Sequence, residues 1–399
     1  MAIREACTEK STDRAGGRDL IDVIDLGKIR LNAFPLPDEP DPDAYPLILS
    51  YSPESQLVQL RHTVDPELMF RTYWYNSGTN ESMAKHLASV AHDAMGGYVK
   101  LGPDDVVVDI GCNDGTLLKY FHPWLRKIGY DPAKNLSPEC DLFINDFFNA
   151  KMYAGNAPAK IVMSIAMFYD IDDPVAFARE VREIMHDDGI WVIEMHYLPA
   201  MLRRNEVDAI CHEHLCYYSL TSLSYVLRQA GMRVVDVSFN DVNGGSMRAI
   251  VKKDGRVSVP SPLVQDVMAG EQKTPVRDVL EVFLRGIELN RDLLPGMLRR
   301  IGRMGQAVGG YGASTKGNTL LQYAGITPDL LPFIADRNPQ KYGRVTVGTH
   351  IPIISEETMR EISPEYLLAL PYHFIDNFRE REDKKFKWIV PVPSPRVLV

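Results

Sequence analysis

Val106-Val107-Val108-Asp109-Ile110-Gly111-Cys112-Asn113-Asp114-Gly115 is the stretch that decides the fold of this chain. A β-branched run that ends in an acidic residue suits a strand buried on both faces of a parallel sheet. Gly111 and Gly115 then permit a tight turn and a close approach of backbone to ligand that a side chain would block. A helical pattern is expected over residues 116–125. The spacing G-C-N-D-G lacks the third glycine of the dinucleotide fingerprint, and no lysine follows it as a phosphate-gripping loop requires. S-adenosylmethionine is the ligand that fits this strand and loop.

Further along, Lys127 to Asp131 reads as a second short strand ending in a carboxylate, 22 positions after Asp109, where ribose hydroxyls are accepted as hydrogen bonds. Asn145-Asp146-Phe147-Phe148 pairs polar residues with an aromatic partner suited to reading and covering an adenine. Ile161 to Ala166 supplies a fourth strand. The expected cofactor residues are Asp109, Gly111, Asn113, Gly115, Asp131, Asp146, Phe147 and Ser164.

A chain of 399 residues with 45% hydrophobic content exceeds what one core holds and calls for two or three domains. The formal charge of −9 argues against nucleic acid as the main partner. No apolar stretch of about 18 residues and no positively flanked apolar leader is present, so neither a membrane nor a secretory route is expected and the location read from sequence is cytoplasmic. The five cysteines are an odd, scattered set and read as free thiols. Oligomeric state is barely encoded; monomer or weak homodimer is the expectation.

Residues 1–75 form a small lobe with a Pro- and Asp-rich stretch, Pro35 to Pro46, between apolar runs. Residues 76–255 carry alternating strand and helix signals, including a helix from Ser219 to Ala230 closed by Gly231. Residues 256–399 open with apolar positions at helical spacing, Val276, Val279, Leu280, Phe283, Leu284 and Ile287. A second strand and glycine loop follow, Ala307 to Asn318, with Ser314, Thr315 and Lys316 suited to holding a phosphate at a helix entry. Lys316, Asn318, Arg337, Asn338 and His373 are the expected substrate residues of this third domain. The fold class is therefore α/β: a class I methyltransferase domain with a small N-terminal lobe and a second Rossmann-like domain at the C-terminus.

Asp208-Ala209-Ile210-Cys211-His212-Glu213-His214-Leu215-Cys216-Tyr217-Tyr218-Ser219 packs two histidines, a carboxylate, two thiols and two phenols into one short segment. Metal-binding spacings, H-E-x-x-H or paired C-x-x-C, are missing, and no metal is expected. Strict alternation would put His212 and His214 on one face and Glu213 on the other, so all three converge only across a turn. A histidine beside a carboxylate suits proton abstraction near neutral pH. Abstraction beside a ketone also needs a donor for the enolate oxygen, for which Tyr75 and Tyr217 are candidates.

Taken together, the chain resembles the sugar C-methyltransferase family, which acts on nucleotide-linked 4-keto deoxysugars. The resemblance runs over nearly the whole length: Tyr73-Trp74-Tyr75-Asn76-Ser77-Gly78, the cofactor loop, the HEHLCYYSL segment from His212, Gly244-Gly245-Ser246-Met247-Arg248, YGASTKGNTLLQYAGI from Tyr311, and DRNPQKYGR from Asp336. It implies that S-adenosylmethionine binds the central sheet, that the sugar nucleotide lies between the central and C-terminal domains, that His214 acts as base beside Glu213, and that Tyr75 is an active-site tyrosine. It also implies two C-x-x-C pairs holding zinc in the N-terminal lobe. Here Ser52 and Ser55 replace one pair, the other falls near Asp13 and Gly16, and a lobe held by packing alone is expected. Cys211 stands where relatives carry tyrosine, Tyr169-Asp170 where they carry a histidine, and Asn243 where histidine is common. Two other readings are an O- or N-methyltransferase on a related sugar nucleotide and a non-catalytic binding protein of the same fold.

Overall fold

All five residues of Val106–Ile110 are buried, and this strand, β1, is an interior strand of a seven-stranded sheet in the computed structural model, which describes residues 6–72, 76–255, 259–382 and 385–398. The others are β2 (Arg126–Tyr130), β3 (Leu142–Ile144), β4 (Ala159–Ile165), β5 (Met185–His196), β6 (Met232–Asn240) and β7 (Ser246–Lys253). Their order across the sheet is β6-β7-β5-β4-β1-β2-β3. β7 runs antiparallel to both of its neighbours, and the pairs from β5 to β3 are parallel. This is the class I methyltransferase sheet, with its reversal of strand order at β1 and β4 opening a crevice at their carboxyl ends.

The helices follow the sequence signals with one departure. Ser219 caps Leu220–Gln229 through a capping box, and Gly231 beyond it adopts a φ of +69°. The helix expected over residues 116–125 shrinks to a single 3-10 turn, Leu118–Tyr120. Pro123 is the cause, since it restricts His122 and offers no amide to a helical ladder.

The N-terminal lobe carries more sheet than its composition suggests. Ile21–Arg30, Ala44–Tyr51 and Val58–Leu60 pair antiparallel, and Cys216–Tyr217, from the segment rich in reactive side chains, adds a fourth strand against Val58–Leu60. Where the resemblance implied cysteines, oxygen side chains close their own turns. Ser55 Oγ accepts from Leu57 N at 3.1 Å, and Asp13 Oδ1 accepts from Ala15 N at 2.9 Å. Arg14, its side chain wholly buried, donates to Thr63 Oγ1 at 2.6 Å and reaches Asp172 Oδ1 at 3.2 Å, tying the lobe to the loop after β4. No group of three His, Cys, Asp or Glu residues is placed to hold a metal among the described residues.

Past residue 258 the chain first returns to the central domain. Helix Pro262–Gln272 packs on Leu220–Gln229 and on β6. Its Glu271 carboxylate accepts from Leu220 N at 2.9 Å and Thr221 N at 2.8 Å, capping that helix from outside. The long helix Val276–Arg303 then touches Leu198–Arg203, the lobe strand Ile21–Arg30 and helix Thr315–Ala324, bridging all three regions.

A second, six-stranded sheet begins at β8 (Val308–Tyr311) and continues through β9 (Ile334–Asp336), β10 (Ile353–Ser355), β11 (Tyr366–Ala369), β12 (Lys387–Val390) and β13 (Arg396–Leu398). The order β10-β9-β8-β11-β12-β13, parallel except for β13, is that of a Rossmann domain. No described helix is long and apolar enough to cross a membrane.

Candidate active site

The crevice predicted by the strand order is a cavity of about 470 Å³ lined from three sides. Thr63 and Met69 come from the N-terminal lobe, the ends of β1, β2, β4 and β5 from the central sheet, and Ser314, Thr315, Lys316 and His373 from the C-terminal domain.

At the β1–β2 end the expected cofactor residues Asp109, Gly111, Asn113, Asp131, Asp146 and Phe147 all line this cavity. Asp131 accepts from Asn113 N and from Ala133 N, each at 2.9 Å, so its carboxylate shapes the loop as well as facing the ligand. Asp109 is buried with Oδ1 unpartnered, and burial together with the neighbouring Asp131 charge pushes its carboxyl up to about 8. Gly111 has a φ of +78°, and a Cβ there would sit 3.0 Å from Met167 Cγ. An orphaned carboxyl oxygen and a cradle that only glycine leaves open both fit a nucleoside cofactor. Phe147 is held as a wall by Arg71, whose guanidinium lies 4.8 Å from the ring centre and donates to Asp146 Oδ1 at 3.0 Å.

Two expected cofactor residues stand elsewhere. Ser164 Oγ is buried and accepts from Trp191 Nε1 at 3.1 Å, away from the cavity. Gly115 does not line the cavity either; its φ of +76° and the approach of Pro138, 2.9 Å from where its Cβ would be, show a turn-forming role.

The part of the cavity around His214 is built on a turn. His214 N donates to Cys211 O at 3.1 Å, so the chain reverses across His212-Glu213. The turn breaks the alternation: Glu213 and His214 both line the cavity, while His212 is buried against the lobe with Nε2 3.2 Å from Tyr45 O. His214 Nδ1 lies 2.8 Å from Ala209 O. A carbonyl only accepts, so Nδ1 carries the proton and Nε2 keeps its lone pair. Burial, and after it the Lys316 charge, push the imidazole down to about 3, which holds it neutral. The Tyr169 ring packs 4.4 Å from the His214 ring, centre to centre.

Glu213 is not the partner that orients His214. Its Oε2 accepts from Asn32 Nδ2 of the lobe at 3.1 Å and lies 3.5 Å from Cys211 Sγ. Asp170, also on the cavity wall, has a buried and unpartnered Oδ1, and burial followed by the Glu213 charge keeps its carboxyl well above the usual range. Tyr75 lies outside the described residues. Tyr217 is buried 3.4 Å from Ala209 O and does not reach the cavity wall.

Of the C-terminal residues expected at the substrate, Lys316 and His373 line the cavity and three do not. Asn318 is buried and donates to Ala33 O at 3.2 Å, pinning its helix to the lobe. Arg337 is largely exposed, 4.0 Å from Glu356, and Asn338 caps the turn Pro339–Lys341 through Gln340 N at 3.0 Å. Both follow the C-terminal end of β9 and are absent from the cavity lining. Around Lys316 the fold gathers residues that spacing alone did not mark. His196, at the end of β5, lies 2.7 Å from Glu206 without hydrogen-bond geometry. Asp208 accepts from Tyr372 across the domain boundary at 3.0 Å. Glu194, close to the same strand end, meets His86 and accepts from Arg248 Nε at 2.6 Å. A carboxylate closing a buried strand, as in Glu194, was the available signal.

Residues 80–237 match the family model described as a methyltransferase domain, and residues 241–393 the one described as the C-methyltransferase C-terminal domain. The C-methyltransferase NovU of Streptomyces niveus is 30% identical over 96% of this chain and 95% of its own length. The chain belongs to the C-methyltransferase family. Solved structures with similarity include an N1-methyltransferase of Burkholderia thailandensis, which acts on 1,6-didemethyltoxoflavin and holds S-adenosylhomocysteine. It shares 15% identity over 44% of this chain and 80% of its own, with a TM-score of 0.33. A methyltransferase from Clostridium acetobutylicum shares 9% over 43% of this chain and 91% of its own, with a TM-score of 0.31. This C-methyltransferase uses S-adenosylmethionine, and its target is a carbon atom, which sets aside the O- or N-methylation and the non-catalytic readings.

Proposed function

We propose that this C-methyltransferase alkylates the carbon beside the ketone of a nucleotide-linked 4-keto deoxysugar, with His214 as the base. The observation that carries the reading is the His214 imidazole, its Nδ1 committed to Ala209 O and its Nε2 without a partner among the described residues, in the same cavity as Asp109, Asp131 and Lys316. Asp109, Gly111, Asn113, Asp131, Asp146 and Phe147 are the residues that would hold S-adenosylmethionine. Bound there, it supplies the sulfonium methyl that a carbanion-like carbon takes. The sugar nucleotide lies against Ser314, Thr315, Lys316 and His373. Nε2 receives the proton of the carbon next to the ketone, and the pair left behind makes that carbon nucleophilic.

In deuterium oxide, with S-adenosylhomocysteine in place of the methyl donor, a 4-keto sugar nucleotide should exchange hydrogen at that carbon. A substrate that is methylated on carbon yet never exchanges under these conditions would remove deprotonation by a protein base from the scheme.

The acid limb of the rate offers a further check. An ordinary histidine base loses activity as pH falls through about 6.5, because protonation takes its lone pair. Here burial and Lys316 lower that transition to about 3. Down to about pH 6, kcat/KM should therefore show no loss attributable to the base. A half-loss centred near pH 6.5 would mean that the free enzyme's imidazole is solvated.

A further inference from the structure

We propose that Lys316 holds the ketone oxygen of the acceptor and stabilises it as it becomes the enolate oxygen, rather than gripping the nucleotide diphosphate. The proposal rests on the reading above and names the partner that proton abstraction requires.

Among the described residues lining the cavity, Lys316 is the one lysine or arginine, and it has no hydrogen-bond or ion-pair partner among the described residues. It lies in the first turn of Thr315–Ala324, a helix capped by Ser314 accepting from Gly317 N at 3.0 Å. That helix packs directly on the turn Val207–Ala209, whose Ala209 carbonyl fixes the His214 tautomer. Lysine and base are thus positioned by adjoining pieces of backbone, at the chemical end of the cavity. The ammonium field acts on His214, His196, His373, Glu206, Asp208 and Cys211.

Electrostatic balance favours an oxyanion beside this cation. Proton abstraction turns neutral His214 into an imidazolium next to an ammonium, which is unfavourable unless negative charge appears between them. In the proposed step the C–H bond breaks and its proton goes to Nε2, the C–H pair forms a carbon–carbon double bond, and the carbonyl π pair moves onto oxygen. Lys316 keeps its three protons and donates one as a hydrogen bond. When the carbon takes the methyl group the ketone re-forms, the methyl donor departs as a neutral thioether, and His214 gives its proton to water. A diphosphate, by contrast, carries more charge than one ammonium balances, and no second lysine or arginine lines the cavity among the described residues.

The test compares wild type with Lys316→Met and Lys316→Gln in two measurements: deuterium exchange of the 4-keto sugar nucleotide with S-adenosylhomocysteine present, and calorimetric binding of thymidine, uridine and guanosine diphosphates. Exchange should fall about 100-fold in Lys316→Met and less in Lys316→Gln, which keeps a donor without the charge. Affinity for S-adenosylhomocysteine and for whichever nucleoside diphosphate binds wild type should stay within about 3-fold. The acid limb of Lys316→Gln should also move to higher pH than that of wild type while staying below the ordinary histidine range, since the Lys316 charge is gone but burial, the larger cause, remains. Exchange within about 3-fold of wild type in both variants overturns the proposal, as does a loss of exchange matched by an equal loss of diphosphate affinity. Absence of exchange in wild type itself would instead overturn the deprotonation reading on which the proposal stands.

Discussion

His214→Ala should lower kcat by about 10³-fold while leaving S-adenosylmethionine affinity within a factor of about two. His214 lines the same cavity as the β1–β2 loop, and neither of the hydrogen bonds that Asp131 makes to shape that loop involves it. The variant should also keep its fold, because the His214 side chain makes one hydrogen bond among the described residues, to Ala209 O, while the backbone bonds from His214 N to Cys211 O at 3.1 Å and from Leu60 N to Leu215 O at 2.9 Å survive the substitution. Stopped assays with labelled methyl donor, together with calorimetry of the cofactor, separate the two quantities. Near-normal turnover in a variant that binds both ligands would mean that another group takes the proton.

Asp131→Ala should weaken S-adenosylmethionine binding by about 10²- to 10³-fold. Its carboxylate makes two bonds to loop amides at 2.9 Å and faces the place expected for ribose hydroxyls. Alanine therefore removes a ligand contact and at the same time frees Asn113 N and Ala133 N, so the loop pays ordering entropy on binding. Charge-assisted bonds of this kind contribute about 1.5–3 kcal/mol each. The paired variant Asp131→Asn keeps the shape and should recover part of the loss. An Asp131→Ala dissociation constant within about 3-fold of wild type would show that the ribose sits elsewhere.

The central sheet was legible because β1 is a continuous β-branched run, and burial on both faces leaves no polar position to confuse the period. That Asp109, Gly111, Asn113, Asp131, Asp146 and Phe147 would line one cavity followed from it, since residues at strand ends are placed by the backbone itself. Ser164 shows where that reasoning stops: it is a strand residue on the wrong face, taken up by Trp191. Asn318, Arg337 and Asn338 fell away for a related reason. Motif residues were assigned to the ligand as groups, but Asn318 faces the lobe from within its helix and Arg337 and Asn338 follow a different strand, so of the expected set Lys316 and His373 line the cavity. The Glu213 and His214 pairing depended on one hydrogen bond across Cys211 and His214, which strand periodicity cannot foresee. His196, Glu206 and Asp208 come from separate elements and converge only once the three regions are packed together.

The strand Cys216–Tyr217 begins two residues beyond His214, yet its hydrogen bonds belong to the sheet of the N-terminal lobe. Any exchange of that lobe between relatives must therefore carry residues 211–219 along with it as one cassette. A hybrid cut at the linker near residue 76 would present foreign edge geometry to Val58–Leu60 and shift the imidazole with it. In this way the lobe helps to set where the His214 imidazole sits, and reshuffling at its apparent border should lower activity before it lowers stability.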